Sequence, residues 1–125
     1  MKPDEHEWSL RTWARGIRPL EAAVELLIRF SAGKYSRPGL PWTHVSDAGR
    51  SWVDFPAIPL SATGLPERDR RVLDVAASLG DGVPIDLGLA TVGLDQEAMV
   101  LVLAAIAHAG TDTTGGEPVL TWPGE

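Results

Sequence analysis

Three histidines and no cysteine leave imidazole as the chain's ordinary neutral-pH proton carrier. His44 stands near Ser46, Asp47, Ser51 and Asp54, a mixture of base, hydroxyl and carboxylate groups. Those types are what a nucleophile, its base and an orienting acid require, so a small enzyme centred on His44 is one alternative. The same types are ordinary in turns, which is the reading preferred here. His6 lies within Asp4-Glu5-His6-Glu7, a run of metal-type donors. Neighbours along a frayed terminus converge poorly, and no HExxH or paired-histidine spacing occurs, so no metal is expected. His108 falls in the last turn of an apolar segment, where a protonated ring would complement the helix dipole. No catalytic residue and no cofactor is assigned, and the chain is read as non-enzymatic.

Phosphate-loop chemistry fails on polarity. Gly33-Lys34 follows the end of a helical pattern, whereas phosphate needs a helix start, and Gly80-Asp81-Gly82 carries its own carboxylate. A different composition stands out in the first half. Trp8, Trp13, Trp42 and Trp52 are interspersed with Arg11, Arg15, Arg18, Arg37 and Arg50. Arginine with aromatics builds binding hot spots and single-strand nucleic-acid platforms, and it also packs as guanidinium stems on indoles. Arg11, Arg15, Arg18, Trp42 and Trp52 are therefore the candidate ligand or nucleic-acid contacts, with a transcription-linked regulator as the corresponding alternative.

Charge is uneven. Residues 1–50 carry +2 and residues 51–125 carry −8, and no Lys or Arg follows Arg71. A net charge of −6 over 125 residues works against coating a nucleic acid. The start is acidic and polar rather than that of a secretory signal. The longest apolar run, Ala98 to Ala107, would be about 15 Å of helix, short of the roughly 20 residues that span a bilayer. A cytoplasmic protein without a membrane partner is expected.

These groups must be positioned by a mainly α (α+β) domain occupying residues 1–125. In 4–33, Leu10, Trp13, Ile17, Leu20, Val24 and Leu27 keep alternating spacing of three and four across Gly16 and Pro19, which predicts one kinked helix or a helix pair presenting a single seam. Residues 34–64 are proline-rich. Trp42–Val45 and Arg50–Phe55 predict a short β-hairpin about Ser46-Asp47-Ala48-Gly49, with an extended linker to Gly64. In 65–122 the pattern predicts a helix from Pro66 to Leu79 stopped by Gly80, a short helix from Asp86 to Val92 capped by Asp86, and a helix from Gln96 to Ala109 capped by Asp95. Pro118–Trp122 reads as a closing strand.

Helix, extended piece, short helix, tight turn at Gly93-Leu94-Asp95, longer helix, glycine turn and strand: over residues 65–122 this order resembles a winged helix-turn-helix domain. Members that bind DNA lay the third helix in the major groove and hold phosphates with Lys and Arg. Here that helix has neither, begins at Asp95 and Glu97, and is followed by a wing carrying Asp112 and Glu117. The resemblance therefore implies a fold without the charges for DNA contact.

Ten consecutive apolar residues must be covered, either by the N-terminal helices or by a partner molecule. The leading expectation is protein–protein interaction or self-association, with a homo-oligomer or protein partner rather than nucleic acid. Trp13, Ile17, Leu20, Met99, Leu103 and Ile106 are its candidate interface residues.

Overall fold

A computed structural model describes residues 2–111 and 120–124. Within them the chain is mainly helical with one antiparallel hairpin, an α+β fold. Helix α1 spans Pro3–Ala14, with Pro3 in the first turn, where a missing N–H costs nothing. Helix α2 spans Arg18–Arg29. Between them Gly16 adopts φ +95, a left-handed conformation that ends one helix before the next begins. The expected single seam is thereby broken. Leu10, Val24 and Leu27 are buried, but Trp13 is 39% and Ile17 57% exposed. The buried ridge of α1 is instead His6, Leu10 and Ala14.

Helix α2 is the hub of the domain. Ala22, Ala23, Val24, Leu26, Leu27 and Ile28 are all buried, a nearly all-round burial that needs neighbours on several sides. Those neighbours are α1, helix α4 (Glu67–Asp81) and helix α6 (Gln96–Gly110). The chain then reverses at Phe30–Gly33, where Ser31 (φ 52) and Ala32 (φ 57) adopt left-handed conformations before Gly33 (φ 77). Phe30 and Tyr35 stack below this turn with ring centroids 6.0 Å apart, and the Arg68 guanidinium lies 4.7 Å above the Phe30 ring. The Tyr35 hydroxyl donates to the Asp69 carboxylate. Burial, then that bond, pushes the phenol up to about 12.

Strands β1 (Thr43–Val45) and β2 (Ser51–Val53) form the expected hairpin, pairing Thr43 with Val53, His44 with Trp52 and Val45 with Ser51. The segment that follows is not an extended linker. Ala57–Ser61 forms helix α3, with Ile58 buried and Pro59 within the first turn, where proline's missing donor is tolerated.

In the second half, α4, the short helix α5 (Leu87–Thr91) and α6 appear in the expected order. Asp86 Oδ1 accepts from Leu89 N at 3.1 Å and Asp95 Oδ1 from Ala98 N at 2.9 Å. Gly80 does not stop α4. It sits inside the last turn, and Gly82 at φ +67 is the left-handed cap. Residues 120–122 are not a strand, and the rest of the expected wing, 112–119, lies outside the described residues. Trp122 is buried, its ring 5.1 Å beneath the Arg29 guanidinium and tilted against His108.

Candidate functional site

The hairpin's alternation decides what His44 can reach. Cross-strand partners share a face, so His44 and Trp52 lie on one side while Val45 and Ser51 lie on the other. His44 stacks on Trp52 with centroids 4.6 Å apart, exposed to solvent. Ser51 is buried and its hydroxyl meets Nδ1 of His6 at 2.7 Å. Ser46 Oγ accepts from Arg50 N at 3.2 Å. Ser51, a hydroxyl grouped with His44 in the sequence, thus lies on the opposite face of the hairpin and is engaged by His6 instead.

His6 is not frayed. It is 1% exposed, and Nε2 lies 2.7 Å from the Ser36 carbonyl oxygen while Nδ1 meets Ser51. Asp4 and Glu5, its neighbours in sequence, are exposed on another face of α1. Among the described residues, no three His, Asp or Glu side chains gather as metal ligands would.

Trp8 and Trp13 face a different side of α1 from Arg11 and Arg15, whereas Arg50 of the hairpin stays with the two tryptophans. Arg11, Arg15 and Arg18 line a cleft of about 330 Å³ with Glu21, Glu25 and His108. Arg11 and Arg29 both bond Glu25, the latter at 2.8 Å, and Arg18 Nη1 lies 3.7 Å from Glu21. Glu21 also accepts from Gly16 N at 3.0 Å and contacts His108 Nε2 at 2.9 Å. Burial raises both carboxyls, but these hydrogen bonds and nearby positive charges outweigh it and hold Glu21 and Glu25 below the usual glutamate range. Arg11 is held more firmly charged, first by its bond to Glu25. Two of the three arginines are therefore occupied by the protein's own carboxylates.

Trp8 and Trp13 face the hairpin turn across a groove of about 820 Å³, together with Asp4, Glu5 and Arg50. Trp13 also walls a second groove of about 310 Å³, shared with Leu20, Trp52, Asp54 and Asp81. Trp13 lines both grooves, so they adjoin at its ring, and together they are called the aromatic trough. Trp8 is 65% exposed. Trp42 has no place in it: it is buried, and its indole N–H donates to the Tyr35 carbonyl at 2.9 Å, so it is a core residue rather than a ligand contact.

The outer side of α6 presents Val100, Leu103 and Ile106, which are 39%, 48% and 40% exposed, while Met99 is half-buried. Ala98, Leu101, Val102, Ala104 and Ala105 are buried, and the helix packs on α2 and, less extensively, on α4. Among the described residues no helix is long and apolar enough to cross a membrane.

A further cleft, of about 510 Å³, lies where α3, α4 and α5 meet and includes Arg70 and Asp74. Burial pushes the Asp74 carboxyl above the usual aspartate range, against the pull of Arg70. Sequence reading missed this cleft. Its only trace there is a charged pair four residues apart on a helix, which is indistinguishable from a solvated pair until α3 is known to exist. Comparison of the chain with protein-family models, with curated proteins and with solved structures finds no match in any of the three.

Proposed function

We propose that this is a non-enzymatic association domain that pairs with a second copy of itself through α6. One observation carries the reading: Val100, Leu103 and Ile106 form an exposed stripe on a helix that carries no Lys or Arg. Burying each of these side chains against a partner would recover of the order of 1 kcal/mol. A two-fold axis across the stripe sets the same patch against itself, and antiparallel helices place opposite dipole ends together. On this reading the winged-helix-like half presents its third helix to protein. A duplex would instead meet apolar side chains on a helix whose first turn carries Glu97 and which offers no Lys or Arg to phosphates.

Sedimentation equilibrium of the intact chain and of Leu103→Glu tests this. The wild type should associate in the micromolar range, and the glutamate, placed opposite its own symmetry mate, should weaken association by at least about tenfold. A wild-type chain that stays monomeric at high micromolar concentration overturns the proposal. Because Leu103 faces water in the single chain, the variant should retain its helical circular dichroism.

A further inference from the structure

The aromatic trough supports an inference independent of α6. We propose that the trough between α1 and the hairpin docks a basic segment of a partner protein, whose apolar side chains cover the indoles while its Lys or Arg side chains meet the carboxylates at the edges.

Charge selects the occupant. Asp4 and Glu5 line the first groove and Asp54 and Asp81 the second, against one guanidinium, that of Arg50, among the described residues. The nearby arginines do not neutralise them: Arg11, Arg15 and Arg18 open onto a different cleft, where Arg11 and Arg18 face Glu25 and Glu21. An acidic rim over tryptophan faces attracts cations twice, through Coulomb attraction and through the ring quadrupole. It repels nucleic-acid phosphates for the same reason.

Rigidity makes the trough a binding surface rather than a loose collection of side chains. Ser9 Oγ accepts from Ser51 N at 2.8 Å, and His6 holds the Ser51 hydroxyl from one turn earlier on α1. The helix and hairpin walls are therefore fixed to each other before any partner arrives, which lowers the ordering cost of docking. Trp8, mostly in water, and Trp13, common to both grooves, are the large aromatic anchors that dominate such contacts.

The probe is a short synthetic peptide of alternating arginine and leucine, titrated calorimetrically and by tryptophan fluorescence against the intact chain. Comparison ligands are the same peptide with glutamate for arginine, an oligolysine of equal charge, and oligo-dT. The arginine–leucine peptide should bind saturably, at least about tenfold tighter than either the glutamate peptide or oligolysine. Trp8→Ala should weaken it by about tenfold, and Asp54→Asn with Asp81→Asn should weaken it and flatten its salt dependence. Trp8 is largely solvent-exposed, so the alanine variant should keep its circular dichroism. Unchanged affinity in Trp8→Ala, equal binding of oligolysine, or preference for oligo-dT would each overturn the proposal.

Discussion

Because Nε2 of His6 faces a carbonyl oxygen it must carry a hydrogen, and in the neutral ring Nδ1 then accepts from the Ser51 hydroxyl. One side chain thus ties α1 to the hairpin and to the loop at Ser36. His6→Ala leaves a buried carbonyl and hydroxyl without these partners and opens a cavity, so a loss of about 2–4 kcal/mol in urea unfolding is expected. Asp74 is the reverse case, a carboxyl that burial makes harder to ionise in the folded chain. Such a group favours the fold most below its unfolded value, about 3.8, and that contribution is lost as pH rises through the raised folded value. Asp74→Asn should therefore raise the urea midpoint at pH 7, with the gain shrinking towards pH 3; a lower midpoint at pH 7 would contradict the sign. Neither residue was legible in the sequence as it behaves here. A histidine between acidic neighbours carries no apolar signal, and only the fold reveals that position 6 belongs with Leu10 and Ala14.

Helix starts were readable because capping is local chemistry. Asp86 and Asp95 each reach an N–H three residues ahead, and that reach is written in the spacing itself. Helix ends and the proline-rich stretch were less so. Prolines exclude a long helix but not one whose first turn contains them, and α3 is such a helix. Gly80 looks like a terminator, yet its reason is contact: a Cβ there would lie 2.5 Å from the Phe55 ring. Phe55 is buried and has little room to move. Gly80→Ala should therefore destabilise by about 1–3 kcal/mol despite alanine's better helix propensity, as chemical denaturation would report. A neutral or stabilising result would mean that the ring yields.

On the scale of the molecule, periodicity identified the longer helices but not which of them is central. Composition points to α6, with its ten apolar residues, whereas the structure surrounds α2 and leaves one side of α6 in water. The difference follows from length: covering α6 fully would need a further layer, and the chain uses its other helices to enclose α2. The tryptophan–arginine mixture was similarly visible only as a mixture. Helical geometry sorted it into an acidic aromatic trough and a cleft of paired charges. The enclosure of α2 also has a consequence in time. Its cover comes from far along the chain, as the contact between Glu21 and His108, 87 positions apart, makes plain. During synthesis, Ala22 through Ile28 must therefore leave the ribosome well before α6 exists to shelter them. The nascent chain passes through an interval of naked greasy helix in which chaperone capture competes with folding.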